Sequence, residues 1–494
     1  MENPHTAPGS SLPGVTAEEM AAAAAAGGCP VDHSALTTQQ SVVPASSLGG
    51  PEGAPMLQAL KYFRNSSKFM TECRERYGSR FRINIVPGKE IYAISDPDEV
   101  KTIFLAPRDV LHTGNGSEVI EKFTGQTGLA WQDEDEHTAR RKTLMPSLKG
   151  DALQRIETSA TALARKAVAS WPRNKVVSLH PYVHRFTTEV IREVVFGKVV
   201  PSCWQELFDG LMDMMDFNRR KASMIMLHRV KPRTIRLLRA LRPLGVHDFL
   251  KARERVDELI AQAVKERLDS GDLGDDMLSV LLAVRNEDGS PLSGVELRDE
   301  LMTMFLAGTE TTAAAICWAL EFLSREPAVL DRVMAEMAEG ESDAYLTAVV
   351  HEVLRLRPPT PQIIPREVMK PIEVGGVRYE PGMLLWPSGY LVNRDPARYP
   401  EPDEFRPERF LNVKPGSYTW IPFGGGHIRC LGDRIAIFEA KTMLREVLTA
   451  CELRRPDPRP ETPRNRTVVL VPEHGTRLEL RPRNRKAKVD LVAG

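Results

Sequence analysis

From Ser293 up to Pro327 the sequence keeps one apolar helical period without interruption, and Ser293-Gly-Val-Glu296 reads as the capping box that starts it. At ~1.5 Å per residue such a helix is roughly 50 Å long, enough to cross an entire domain. A chain carrying it must pack other helices around it. The surrounding sequence agrees: residues 150–345 are almost wholly helical by period, with breaks at Pro172, Pro201, Pro232, Pro243 and the turn Asn286 to Ser290. Outside this block, Met56 to Tyr77 reads as a helix and Phe81 to Ile94 as a strand pair around Pro87-Gly88. Residues 360–412 turn to short strands (Ile372 to Tyr379, Leu384 to Ser388). A helix follows from Leu431 to Leu448, and then a hairpin-like end, Thr467 to Val471 and Arg477 to Leu480, turning at Pro472 to Gly475. The expected fold is mainly α (α+β), a single large helical domain with small β-sheets over residues 51–484. Residues 1–50, rich in Ala, Ser, Gly, Pro and Thr, read as a disordered tail, and residues 485–494 as a C-terminal tail.

Basic and acidic residues both number 66, so net charge offers no general attraction to nucleic acid or an anionic membrane. The basic stretch Arg481 to Lys488 reads as a solvated tail. Cys29, Cys73, Cys203, Cys317, Cys430 and Cys451 are scattered without a disulfide framework, which suits a reducing compartment. The first Lys or Arg is Lys61, against a secretory or transit signal, and no stretch approaches the ~20 apolar residues of a membrane helix. The expected location is cytoplasmic, with no integral membrane segment and no nucleic-acid partner.

Inside the long helix lies Ala307-Gly308-Thr309-Glu310-Thr311-Thr312. Glycine costs about 1 kcal/mol against alanine there, and threonine hydroxyls can divert to the backbone. Two readings stand on this segment alone. One is a kink or a close helix crossing. The other is that Gly308 admits a flat ligand while Glu310 and Thr311 set an acid and an alcohol where protons must reach a buried oxygen species.

The segment Phe423-Gly-Gly-Gly-His-Ile-Arg-Cys430-Leu-Gly432 sets Cys430 behind a glycine loop at a helix N-terminus. Amide groups, the helix dipole and Arg429 should depress its thiol pKa, making the sulfur a ligand or a nucleophile. A plain loop with a small buried cysteine is the bland alternative. Zinc would want further Cys or His ligands that are not nearby, and a catalytic thiol would need His427 as its base.

This loop resembles the haem-binding signature of the cytochrome P450 family, with Phe423, Gly424, Gly426, Cys430 and Gly432 at the family's spacing, and the likeness runs through most of residues 55–480. The resemblance implies the cytochrome P450 fold, haem b (iron protoporphyrin IX) as cofactor, Cys430 as the iron ligand and Phe423 packed near the sulfur. The chain departs from the pattern at Ile428, where the family usually has Arg or His, so either His427 or Arg429 would take that propionate contact. The segment at 307–312 is similar to the family's oxygen-activation motif. That implies Ala307 and Gly308 against the cofactor, Thr311 ordering water at bound dioxygen, and Glu310 in the proton relay.

Glu352 and Arg355 stand three apart between apolar residues, which by spacing is an ordinary surface ion pair. The stretch His351 to Arg355 before Pro358-Pro359 is similar to the family's Glu-x-x-Arg helix, and Arg409 in Phe405 to Phe410 matches its third member. The resemblance gives these three a structural role. His137 and Arg141, four apart, could hold two propionate oxygens or lie on a solvated face beside Asp133 to Glu136; the family likeness of His137 to Pro146 implies the former. Arg366 matches another propionate position, and Trp131 is a weaker one.

By the same likeness a mostly apolar pocket is lined by residues 107–128 and 205–245, Met304 to Ala307, Gln362 to Ile364 and residues near Val468. The implied activity is insertion of one oxygen atom from O2 into a lipophilic small molecule (terpenoid, polyketide, steroid or fatty-acid-like), as in secondary metabolism. No flavin or nicotinamide fingerprint and no iron–sulfur cluster is present, so electrons would come from a separate ferredoxin/reductase or flavodoxin. It would dock near Arg429, Arg434 and Lys441. A haem isomerase or peroxygenase, a non-enzymatic haem sensor and a cysteine-nucleophile enzyme are the rival readings.

Overall fold

The computed structural model describes residues 42–86, 88–114, 118–216, 246–286, 288–466 and 468–483. Most of residues 1–50, the breaks at Pro232 and Pro243, residues 217–245 of the expected pocket lining, and the C-terminal tail lie outside them.

Pairing begins at β1 (Val43–Pro44), ahead of the boundary expected at residue 51. It runs parallel to β8 (Val377–Tyr379) through backbone groups, with both its side chains exposed, so no apolar pattern announced it. Two helices follow, α1 (Pro55–Arg64) and α2 (Ser66–Tyr77), where a single helix was expected. The break is Asn65: extended at φ −158°, its side chain accepts from the Lys68 amide at 3.0 Å and caps α2. Then come β2 (Arg80–Ile83), β3 (Ile91–Ile94), α3 (Pro97–Leu105), β4 (Leu111–His112), α4 (Glu118–Thr124) and α5 (Glu134–Leu144). The helical block contains α6 (Gly150–Ser170), β5 (Val176–Ser178), α7 (His180–Phe196), α8 (Trp204–Asp216), α9 (Val246–Ser270), α10 (Met277–Ala283), α11 (Gly294–Arg325), α12 (Pro327–Glu339) and α13 (Ala344–Leu356). The remainder is β6 (Arg366–Val368), β7 (Ile372–Val374), β8, β9 (Leu384–Pro387), α14 (Gly389–Val392), α15 (Asp433–Ala450), β10 (Cys451–Arg454), β11 (Pro463–Arg466), β12 (Val469–Pro472) and β13 (Arg477–Pro482).

The long helix is α11. Its capping box forms as expected: Ser293 Oγ accepts from the Glu296 amide and Glu296 from the Ser293 amide. It packs against α7, α13, α15 and β12, and most of its C-terminal half is buried in the largest apolar cluster. The largest sheet has the order β2-β3-β9-β6-β4, with β3 parallel to β9 and its other pairs antiparallel. A second apolar cluster lies on it around Tyr92, Phe104 and Leu385. The expected terminal hairpin does not form. The chain does turn at Gly475, but β12 pairs with β11, while β13 pairs with β10 and β5. Leu478 and Leu480 are buried there beside Cys451, whereas Val469 and Val471 pack on Ala314 of α11, so the two strands serve different cores. No helix among the described residues is long and apolar enough to cross a membrane.

Candidate functional site

A cavity of about 770 Å³ lies along α11. Its walls include Met304, Ala307, Gly308, Glu310 and Thr311 from α11, His137 and Arg141 from α5, Ile363 and Ile364 ahead of β6, and Phe423, Gly424, Arg429 and Cys430.

The loop that carries Cys430 is held by its own backbone. The Cys430 amide donates to the Phe423 carbonyl at 3.0 Å, and residues Gly426–Ile428 form a short 3₁₀ turn. Gly424 and Gly426 take left-handed φ of 66° and 68°. A Cβ at Gly425 would overlap the Phe104 ring, and one at Gly426 the Phe104 carbonyl, so these glycines let the loop lie flat on α3. Cys430 is exposed, whereas Cys73, Cys203, Cys317 and Cys451 are buried. The sulfur is nevertheless surrounded by protein, and it belongs to the cavity wall. Cys451, by contrast, is fully buried at the first position of β10 and does not line the cavity.

The expected depression of the thiol pKa is overturned. Burial pushes the Cys430 thiol up, against the Gly432 amide, which hydrogen-bonds the sulfur, and Arg429, with Asp433 adding to the rise. Arg429 is itself bound to Asp433 at 2.9 Å, which weakens its pull. A metal that displaces the thiol proton would remove this penalty.

Beside the loop, basic groups gather without matching acids. His137 and His427 meet edge to face at 6.0 Å between ring centroids. Burial, then the neighbouring charges, push each down to about 4. Arg366 is almost fully buried, donates to the Ile364 carbonyl at 2.9 Å and stacks over Phe104, and burial lowers it to about 9. Among the described residues neither Arg141 nor Arg366 has an ion-pair partner. The one acid felt by both Arg366 and the two histidines is Asp133, which is bound to Thr113 and Gly114. This patch favours an anion, and two carboxylates of a flat cofactor would suit it. Of the two residues left open by Ile428, His427 joins the patch and Arg429 turns to Asp433. Trp131 is committed elsewhere, donating to Thr124 Oγ1 at 3.1 Å.

On α11 a Cβ at Gly308 would overlap Cδ1 and Cγ1 of Ile191, so the glycine permits the close crossing of α7 and α11, and it also lines the cavity. Thr311, exposed to the cavity, donates to the Ala307 carbonyl at 2.7 Å. Glu310 is buried and meets His180 and His184 at 3.2 Å each and Arg466 at 3.3 Å. Burial alone would raise its pKa, but these three neighbours outweigh it and hold the carboxyl well below the usual range. The sequence reading missed all three, although His180 and His184, four apart, share a helix face. It also missed Glu439 of α15, which lines the cavity, is buried with one oxygen unpartnered among the described residues, and is pushed well above the usual range by burial.

Glu352 and Arg355 do not form a surface pair. Both are fully buried and joined at 2.7 Å, and Arg355 also donates to the carbonyls of Asn393, Pro402 and Glu404. Arg409 lies 3.4 Å from Glu352, which also accepts from the Arg406 amide. Asn393 in turn accepts from the Ile421 amide, linking this cluster to the loop of Cys430. On the expected docking face, Lys441 binds Asp343 at 2.6 Å and Arg429 binds Asp433, leaving Arg434 exposed and, among the described residues, without an ion-pair partner.

Residues 48–480 match the family described as Cytochrome P450. A protein named cytochrome P450 137 from Mycobacterium tuberculosis is 34% identical over 452 residues, covering 88% of this chain and 92% of its own. Cytochrome P450 135B1 of Mycobacterium bovis is 31% identical over 456 residues, covering 88% and 92%. Among solved structures, retinoic acid-bound cyanobacterial CYP120A1 superposes with a TM-score of 0.75 at 23% identity, covering 89% of this chain and 99% of that one. The haem domain of cytochrome P450DA gives 0.75 at 21% identity, covering 90% and 99%.

Proposed function

The chain belongs to the cytochrome P450 family, a monooxygenase that uses haem b, dioxygen, an organic substrate and a redox partner, and from that premise we propose which residues do the work and on what. Cys430 is the thiolate that holds the iron. The observation that carries this is its place in the wall of the cavity beside a basic patch whose shared acid, Asp133, is bound to Thr113 and Gly114, while the other described cysteines are buried elsewhere. His137, Arg141 and Arg366, with His427, hold the two propionates. Phe423 and Gly424 shape the wall around the sulfur, and Ala307 and Gly308 form the facing stretch of α11. Bound haem supplies the activation of dioxygen for insertion into an unreactive C–H bond, and a thiolate ligand favours O–O cleavage.

The remaining chemistry belongs to side chains. Thr311 keeps a hydroxyl at the cavity, bound to its own helix and able to order a water. Glu310 is held ionised next to it, so it accepts a proton from one side and releases it to cavity water on the other. Met304, Leu306, Ile363, Ile364 and Val468 make the wall apolar, which favours a lipophilic substrate such as a terpenoid, polyketide, steroid or fatty acid, of the kind handled in secondary metabolism. Electrons come from a separate ferredoxin or flavodoxin system meeting the surface near Arg434, in the cytoplasm. Glu352, Arg355 and Arg409 support the loop and touch nothing that reacts.

The test is the carbon monoxide spectrum of the reduced protein for wild type, Cys430→Ala and Cys451→Ala. A red-shifted Soret band lost in the first variant and kept in the second is expected. Its survival in Cys430→Ala would overturn the ligand assignment.

A further inference from the structure

Each oxygen of Glu310 faces a histidine from one helix, and the contact with His180 is a hydrogen bond. His180 Nε2 lies 3.2 Å from Oε1 and His184 Nε2 lies 3.2 Å from Oε2. The two rings sit one turn apart on α7 and stack, with centroids 5.6 Å apart and planes 21° apart. Arg466 of β11 closes the cluster, with Nη1 3.3 Å from Glu310 Oε1 and 3.4 Å from His180 Nδ1. Among the described residues, the ionisable groups around the pair include Glu310 and, behind it on α11, Cys317, whose thiol feels that carboxylate, and Arg466 from β11. Glu310 and Arg466 both line the cavity, while the two histidines do not.

The hydrogen-bond roles follow from chemistry. Arginine can only donate, so Nδ1 of His180 accepts from Arg466, and the proton of His180 is on Nε2, facing Glu310. Arg466 offsets the charge of Glu310, and one further proton on the pair would lie on His184, directly against Oε2. A second added proton would place two cations in stacked rings beside one carboxylate. The cluster is built to store a single proton.

We propose that His180 and His184 form the proton store behind Glu310. His184, whose Nε2 stands 3.2 Å from Oε2, passes its proton there once the ring aligns, so an N–H bond breaks and an O–H bond forms. Glu310 releases a proton to water held in the cavity at Thr311, and His184 is reprotonated from solvent. Only protons move in these steps. The inference rests on the reading of Glu310 and Thr311 as the groups that deliver protons to the cavity.

Two measurements on the holoenzyme test it. The first is nitrogen NMR of the imidazoles against pH in the reduced, carbon monoxide-bound protein. One proton taken up across the two rings is expected, with Glu310→Gln lowering that proton affinity at least tenfold, about one pH unit. Rings that titrate independently of each other and of residue 310 would refute the store, and the wild-type titration decides this even where a variant does not fold. The second is peroxide released per NADPH consumed, with a ferredoxin reductase and ferredoxin as electron source, followed from pH 6 to 8. His184→Gln should raise peroxide release severalfold and flatten its pH dependence, as Glu310→Gln should. A wild-type profile in His184→Gln alongside a raised one in Glu310→Gln sinks the store and leaves the role of Glu310 standing. Wild-type profiles in both sink the two together.

Discussion

Arg355 and Glu352 are joined at 2.7 Å with neither side chain showing any surface to solvent. A second contact, Arg355 Nη2 to Glu352 Oε1 at 2.9 Å, makes the pair bidentate, and the remaining donors of Arg355 go to three backbone carbonyls of the segment 393–404. A charge so placed cannot lose its partner cheaply.

Glu352→Gln should therefore destabilise the fold by about 3–5 kcal/mol, because it strands a buried guanidinium. Chemical unfolding checks this. The conservative exchange Arg409→Lys, at a more accessible member of the cluster, should cost far less. Equal losses in the two variants would mean that burial of the pair is not what matters.

Gly308→Ala should cost about 1–3 kcal/mol, since the added methyl overlaps Ile191. If the glycine serves the crossing of α7 and α11, Ile191→Ala should recover most of that loss when the two are combined. A double-mutant cycle of melting temperatures reads the coupling. Additive losses would return the glycine to a role in the cavity.

The protein without haem should lose stability as pH falls from about 6.5 to about 4. His137 and His427 are each pushed down to about 4 in the fold, so across this window the unfolded chain binds more protons than the folded one, and acid favours unfolding. Each histidine contributes at most about 3 kcal/mol to the slope, by its displacement from 6.5 to about 4. His137→Gln should flatten the profile measured by urea unfolding at fixed pH, and haem, whose propionates favour the protonated rings, should flatten it in the wild type. An apoprotein equally stable at both ends of the window would contradict the assignment.

Much of the site was legible because its signals are local. The capping box at Ser293, the glycines before Cys430 and the spacing of Glu352 and Arg355 each lie within a few residues, and the structure builds each of them. The cap at Asn65 went unread, although asparagine is a favoured residue at a helix N-cap. The misread hairpin at Gly475 has a different cause, since it turns on which distant strands β12 and β13 meet.

The sequence by itself determined the long helix, the helical class, the cysteine loop and the acid and alcohol on one turn, because periodicity, caps and glycine turns act between neighbours in the chain. Tertiary structure alone decided that Ile191 stands where a Cβ of Gly308 would be, that His427 joins His137 and Arg366 in a patch short of acids, and that Glu310 is held by His180, His184 and Arg466. Those outcomes depend on burial and on electrostatic pairing across elements far apart in sequence, and they take definite form only once α7, α11 and β11 are packed together.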